Sequence, residues 1–262
     1  MLFAMDLGIS DKTAVVTGGG GRIGSADCEI LADEGADVYC LDVDLEGAES
    51  VAADLDDLAG SVEPIECDLT DRDGVASTIE AIREESGGVD ILVNNAAAVD
   101  ARSKLENYDD DLWDRDVAVN LTGTYNVTRE VFPAMCERGW GRVVNMTSIA
   151  GWLGGFGQAS YSATKSALIG FGKTLALEGA QSGVTANIVA PSLAASELAD
   201  LELEEIEAMD EHMHRIVEMI PMRRAGREED VANLIAYLSS EQANYVTGQL
   251  VGVTGGADLF AF

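Results

Sequence analysis

Two regimes of apolar and polar positions alternate along the chain. Short runs rich in β-branched and apolar residues occur at 13–17, 37–41, 62–66, 90–93, 142–145, 185–189 and 249–253. Between them, apolar residues recur at helical spacing over 23–34, 46–58, 72–85, 112–136, 160–180 and 228–238. Strands alternating with helices predict an α/β fold, a parallel sheet of about seven strands covered by helices on both faces. The first and fourth runs are continuously apolar, as strands buried on both faces must be. No repeat or linker interrupts the pattern, so residues 1–262 read as a single domain. One segment departs from it: the acidic, Met-bearing stretch within about 193–220, between the sixth strand and the last helix. An insertion there sits beside the carboxyl ends of the strands, where open α/β sheets bind ligands, and it reads as a substrate lid.

Charge changes the picture of partners. The chain carries 47 acidic and 16 basic side chains, a net charge of −31, and only four of the basic residues are Lys. Nucleic acid and anionic membrane surfaces are excluded as partners, because affinity for both comes mainly from basic groups. A chain that is 47% hydrophobic is not disordered despite its charge. The acids are spread over the whole length, which suits a salt-rich cytosol. At roughly 1 M salt the Debye length is about 3 Å, and self-repulsion is largely screened. Cys28, Cys40, Cys67 and Cys136 form no CxxC pair and read as reduced thiols. The apolar patch at Leu2 to Met5 lacks the basic flank and length of a signal peptide. No stretch is long enough to cross a membrane, and a cytoplasmic location is expected.

The first strand runs into Thr17-Gly18-Gly19-Gly20-Gly21-Arg22-Ile23-Gly24 and then a helix. Consecutive glycines permit a tight turn and close approach to a diphosphate, and the new helix offers its N–H groups to the anion. The second strand ends at Asp42, 24 residues after Gly18, followed by Val43. An acid there accepts hydrogen bonds from the adenosine ribose and repels a 2′-phosphate, which favours NAD over NADP. Arg22 leaves that preference open, since a cation in the phosphate turn can serve either cofactor.

Tyr161-Ser162-Ala163-Thr164-Lys165 opens a helix, and residues four apart share a helix face. A neighbouring ammonium and a cationic nicotinamide both favour phenolate, so Tyr161 can exchange protons near neutral pH. Ser148, 13 residues earlier at the end of the fifth strand, can hydrogen-bond a substrate oxygen.

With these residues in order, the chain resembles the short-chain dehydrogenase/reductase family in its compact single-domain form, over residues 12–256. Further motifs carry the resemblance: Asp68-Leu69, Asn94-Asn95-Ala96-Ala97, Val119-Asn120-Leu121-Thr122-Gly123, Asn187-Ile188-Val189-Ala190-Pro191-Ser192, Tyr245-Val246-Thr247-Gly248-Gln249 and Gly255-Gly256. The resemblance implies a Rossmann-type doubly wound sheet. It implies a catalytic tetrad of Asn120, Ser148, Tyr161 and Lys165, with Tyr161 as general acid/base, Ser148 orienting the reacting oxygen, Lys165 on the nicotinamide ribose and Asn120 holding a relay water. It assigns cofactor contacts to Gly18, Gly21, Arg22, Ile23, Gly24, Asp42, Asp68, Leu69, Asn95, Ala96, Tyr161, Lys165, Pro191 and Ser196. A homotetramer is implied, with the helices at 112–136 and 160–180 pairing between subunits; Gly170, Gly172 and Ala176 are small enough to allow it. Arg22 stands where the family pattern has a glycine, Ala97 and Ser192 replace usual glycines, and Ser196 stands near a usual Thr. Thr254 replaces a common Asp, for which there is no functional account.

The implied reaction is hydride transfer between a secondary alcohol or ketone and NAD. A 3-hydroxyacyl thioester is the first choice of substrate; a sugar, sugar acid or polyol is the alternative. A non-catalytic NAD-binding protein and a Rossmann-like methyltransferase are the competing classes, and both leave the Ser148, Tyr161 and Lys165 set unexplained. His212 and His214 do not share a helix face, so no metal site is expected. Met209, Met213 and Met219 read as lid or packing residues, Trp113 and Trp140 as packing, and Trp152 as a candidate cleft residue. The run from Glu202 to Glu211 reads as a solvated helix face.

Overall fold

A computed structural model describes residues 6–55, 58–99 and 102–259. The Leu2 to Met5 patch and positions 56–57 of the second expected helix lie outside these residues. In chain order the main elements are β1 (Thr13–Thr17), α1 (Arg22–Asp33), β2 (Asp37–Asp42), α2 (Leu45–Asp54), β3 (Ser61–Glu66), α3 (Arg72–Ser86), β4 (Ile91–Asn94), α4 (Asp110–Asp116), a π-helical turn (Val117–Gly123) and α5 (Thr124–Arg138). There follow β5 (Gly141–Met146), α6 (Ile149–Leu153), α7 (Ala159–Gly179), β6 (Val184–Pro191), three short helices α8 (Ser196–Ala199), α9 (Leu203–Met209) and α10 (Glu211–Met219), then α11 (Glu228–Ser239) and β7 (Leu250–Val253).

The seven strands form one all-parallel sheet in the order β3-β2-β1-β4-β5-β6-β7. The order reverses between β1 and β4, which opens a crevice at their carboxyl ends. β1 and β4 are buried along their whole length. One face of the sheet carries a core with α3, α5 and α7, including Val75, Ile79, Val131, Met135 and Leu175. The other carries a core with α1 and α11, including Leu31, Ile235 and Leu238. A small third cluster of Ala195, Ala199, Ile206, Val217 and Ala225 holds α8 to α10 together.

Three expectations are corrected. The helix read over 112–136 is two α-helices joined by the π-helical turn, because the segment must bring Asn120 inward beside Ala98. Gly172 and Ala176 on α7 are buried against their own subunit: a Cβ on Gly172 would sit 2.7 Å from Ile188, and Ala176 packs in the core. Gly170 and Leu177 remain outward-facing on that helix, Leu177 being 82% exposed. Trp113 is 41% exposed rather than packed. Trp140 does pack, between the Lys12 ammonium and the Arg142 guanidinium, each 4.3 Å from its ring.

Cys28, Cys40 and Cys67 are buried and Cys136 is half-buried, all four as free thiols. Among the described residues no helix is long and apolar enough to cross a membrane, and no group of three or more acidic, His or Cys side chains is placed to hold a metal. His212 is exposed and His214 half-buried on α10. The acidic side chains of α9 face solvent.

Asp27 departs from the pattern of solvated acids. It lies on the buried face of α1, fully enclosed, and neither carboxyl oxygen has a hydrogen-bond partner among the described residues. Burial pushes its pKa well above the usual carboxyl range, so the group is held as the neutral acid. A raised folded-state pKa means that the folded protein retains a proton the unfolded chain has lost. Stability is therefore greatest below the unfolded value, about 4, and falls as pH rises toward the folded value. Asp27→Ala removes the orphaned group and is expected to stabilise the protein by about 1–3 kcal/mol at neutral pH. Urea melts of both proteins at pH 5 and pH 8 check this; a gain no larger at pH 8 than at pH 5 would contradict it.

Candidate active site

The glycine turn is shaped by contacts that exclude any side chain. Gly18 has φ +65°, and a Cβ there would lie 2.7 Å from Ala96 Cα. A Cβ on Gly24 would lie 2.1 Å from the Gly18 carbonyl oxygen, so α1 can pack against β1 only with glycine at this position. Thr17 Oγ1 accepts from the backbone N–H groups of Asn95 and Ala96 at 3.1 and 3.2 Å. The Asn95 side chain donates to the carbonyls of Thr17 and Gly18 at 3.2 and 3.0 Å. Asn95 thus holds the turn from beneath.

A cleft of about 580 Å³ runs from this turn across the carboxyl edge of the sheet. Gly18, Gly21, Arg22 and Ile23 line one wall, and Asp42, Asp68 and Leu69 line the far end. Asn95 and Ala96 form the floor, with Tyr161, Lys165 and Pro191 at the other end. The cleft is long, and its glycine wall stands at the N-terminus of α1. Those are the features a dinucleotide needs, and the residues fit one. Asp42 is held in place at its end of the cleft: Oδ2 accepts from Gly20 N and Oδ1 from Asp44 N, each at 3.0 Å.

At the opposite end, Ser148 caps α6, its Oγ accepting from Ala150 N at 3.1 Å, and its hydroxyl bears on the Tyr161 phenol, favouring the phenolate. Lys165 is buried; its Nζ donates to the Met146 carbonyl at 2.8 Å and lies 6.0 Å from the centre of the Tyr161 ring. Burial lowers its pKa to about 8, which leaves the ammonium mostly charged at neutral pH. The structure corrects the expectation of a depressed phenol pKa. Burial, reinforced by the charge of Asp116, raises the Tyr161 pKa, and the Ser148 hydroxyl offsets only part of that. Desolvation of the buried ring disfavours the phenolate, and that is the largest effect on this group.

Asn120 is brought to the same region but is turned to the backbone. Its Oδ1 accepts from Ala98 N at 2.7 Å and its Nδ2 donates to Ala98 O at 3.1 Å. The side chain therefore pins the loop after β4, and a relay water would have to be held by other atoms of this turn. π-helical turns cluster at functional sites because they displace backbone groups from the regular ladder.

Two assigned contacts are placed differently from expectation. Ser196 is not in the cleft wall: its backbone N–H donates to Glu228 at 3.0 Å and its hydroxyl donates to the same carboxylate. Arg22 borders the cleft, but its guanidinium is paired with Glu197 of α8 and with Glu228, Nη1 at 2.8 Å and Nε at 2.8 Å respectively. The cation therefore ties the segment after β6 to the glycine turn. Nothing in the local sequence around Arg22 pointed to Glu228, which is 206 positions away. Trp152 is 41% exposed and stands over Gly252 of β7. Met213 packs in the third cluster, whereas Met209 and Met219 are exposed.

Comparison with known proteins agrees with this arrangement. The family model for short chain dehydrogenases matches residues 12–206. The chain is 38% identical over 251 residues to nodulation protein G of Azospirillum brasilense, covering 95% of this chain and 98% of the relative. It is 35% identical over 248 residues to the 3-oxoacyl-[acyl-carrier-protein] reductase FabG of Thermotoga maritima, covering 95% and 98%. Among solved structures, levodione reductase superposes with a TM-score of 0.87 at 28% identity, over 97% of this chain and 100% of that one. NAD+-bound xylitol dehydrogenase superposes with a TM-score of 0.87 at 27% identity, over 95% and 99%. On its matched length, its sheet order and its conserved-length relatives, the chain belongs to the short-chain dehydrogenase family.

Proposed function

We propose that the protein is an NAD(H)-dependent oxidoreductase that interconverts a secondary alcohol and a ketone, with Tyr161 as general acid/base. The observation that carries this reading is the convergence of Ser148, Tyr161 and Lys165 at one end of a dinucleotide-sized cleft. The bound nicotinamide supplies hydride transfer. The protein's part is positional and protonic. Ser148 holds the substrate oxygen beside the phenol, Tyr161 passes a proton to or from that oxygen, and Lys165 keeps a positive charge beneath the pair. Water held near Asn120 would relay the proton to solvent. Gly18, Gly21, Ile23 and Gly24 would admit the diphosphate, Asp68 and Leu69 the adenine, and Pro191 and Ser196 the nicotinamide side, with Ser196 first released from Glu228.

Asp42 supports NAD over NADP. Its carboxylate lies in the cleft wall, and Val43 beside it offers no cation to a 2′-phosphate. The pairing of Arg22 with two carboxylates leaves the turn without a free cation either. An apolar rim supports an acyl-type substrate, with a 3-hydroxyacyl thioester first. The segments 102–108 and 153–158 are joined by Ser103 N donating to Gly157 O at 2.9 Å, and residues 98–99 lie after β4. They present Val99, Leu105, Leu153 and Phe156 to solvent, the last 79% exposed. The xylitol dehydrogenase likeness keeps a polyol as the second reading. A homotetramer pairing α5 and α7 between copies is supported by Tyr125 and Leu177, which stand exposed on those helices, and the four free thiols support a cytoplasmic location.

The test is a panel of acetoacetyl-CoA, 3-hydroxybutyryl-CoA, xylitol and simple ketones and alcohols in molar KCl, with NAD(H) and NADP(H) side by side. Turnover of the thioesters with NAD(H) at least tenfold above NADP(H) is expected. Asp42→Ala should erase most of that discrimination, an effect of about 1–3 kcal/mol from removing charge repulsion and a ribose acceptor. A preference for NADP(H) in the wild type, or discrimination kept by Asp42→Ala, would contradict the assignment. Absence of turnover with every member would favour a non-catalytic NAD-binding protein.

A further inference from the structure

The first turns of α7 are gripped at two points by the chain that precedes them. Asp116, the last residue of α4, accepts through Oδ2 from the Ser160 hydroxyl. Asn120, four residues later, donates through Nδ2 to Thr164 Oγ1 at 3.4 Å. Ser160 and Thr164 are also four residues apart, and each immediately precedes a member of the Tyr161–Lys165 pair. Tyr108 extends the first grip, its hydroxyl 2.6 Å from Ser160 Oγ. Asp116, Asn120, Ser160 and Thr164 are all buried.

Neighbouring residues on a helix point about 100° apart. Ser160 therefore faces α4 while Tyr161 faces the cleft, and the bond to Asp116 sets the rotation of the turn that carries the phenol. Apolar packing alone does not call for a carboxyl here, because a buried one is costly unless its partners are well placed. We infer that Asp116 is a positioning residue, which acts through Ser160 to hold the Tyr161 phenol against Ser148 and the reacting oxygen. The inference rests on the acid/base reading of Tyr161. The groups that bear on the phenol are Ser148 from α6, Lys165 from its own helix and Asp116 from α4.

Asp116→Leu and Ser160→Ala both break the link, by removing the acceptor and the donor. Each is expected to lower kcat for NADH reduction of acetoacetyl-CoA, or of the best member of the panel, by about 100-fold, the scale of a misplacement near 1 Å. KM and the NADH dissociation constant, read by fluorescence, should stay near wild type. Asp116→Asn keeps an acceptor oxygen for Ser160 and should retain most of kcat. The phenolate absorbance that Tyr161→Phe lacks should titrate at lower pH in both Asp116 variants, since each loses a nearby negative charge.

Wild-type kcat in Asp116→Leu and Ser160→Ala overturns the inference. So does an Asp116→Asn loss as deep as that of Asp116→Leu, or a parallel loss of NADH binding in all three. If Tyr161→Phe itself keeps turnover, the acid/base reading is what fails. The phenolate titration needs no turnover, and a titration unmoved even in Asp116→Leu, which loses both the charge and the Ser160 link, then shows separately that the phenol's surroundings do not depend on Asp116.

Discussion

Tyr161→Phe is expected to lose about three orders of magnitude in kcat while binding NADH as tightly as the wild type. The substitution removes one oxygen and leaves the aromatic ring in its buried place. Lys165 keeps its bond to the Met146 carbonyl, so the cleft is expected to keep its shape. The loss is therefore confined to proton transfer and to the influence of the Ser148 hydroxyl on that oxygen. The wild-type pH profile should carry the same signature. Burial holds the phenol above its usual range, and the adjacent Lys165 titrates at about 8. Alcohol oxidation requires a group that can accept a proton, so its kcat/KM should rise with pH through the alkaline range, while ketone reduction should fall. Because the two groups are neighbours, the profile reports the pair rather than either residue. A variant that keeps more than about a tenth of wild-type kcat would show that the phenol is not the proton carrier.

Arg142→Leu is expected to destabilise the fold by about 4 kcal/mol, lowering the melting temperature by roughly 10 °C. Arg142 lies near the start of β5, on the edge of the sheet away from the cleft, and is completely buried. Its Nε donates to Ser240 O at 3.0 Å, and Nη1 donates to Gly141 O at 2.8 Å and to Gly183 O at 3.3 Å. Nη2 donates to the Asn244 side chain, and the guanidinium stacks on Trp140. One planar fork thus ties together the end of α11, the turn before β6 and the segment before β7. Leucine fills part of the space but leaves those oxygens without donors in a buried setting. Arg142→Lys should recover little, because an ammonium cannot span acceptors set for a fork. Thermal melts of the three proteins in high salt check this, together with NADH binding, which should be unchanged below the transition. A lysine variant as stable as the wild type would mean that charge rather than geometry is what the site requires.

The element order was legible because it rests on local periodicity. Each of the seven strands and all six long helical stretches are found within a few residues of their expected positions, and only the 112–136 stretch is broken, by the π-helical turn. The positions of the proposed catalytic residues were legible for a similar reason. Tyr161 and Lys165 share a face through a spacing of four, and Ser148 and Asp42 stand at strand ends, which a parallel sheet collects on one edge. Ser196 and Arg22 were not legible in their actual roles. Both depend on Glu228, which reads in the sequence as an ordinary acid at the start of a helix.

The chain's 31 excess negative charges say how its surface meets solvent, and the motifs say which edge of the sheet holds the chemistry. Both follow from residue type and spacing alone. Which charges leave the surface is a tertiary matter. Asp27 is enclosed without a partner, Arg142 is enclosed with four, and Asp116 is enclosed beside the turn that carries Tyr161. Desolvation depends on what packs around a group, and the packing partners come from elements scores of residues away. The sequence could therefore place Tyr161 next to a cation, but only the folded protein determined that the phenol is buried and its pKa raised by that burial.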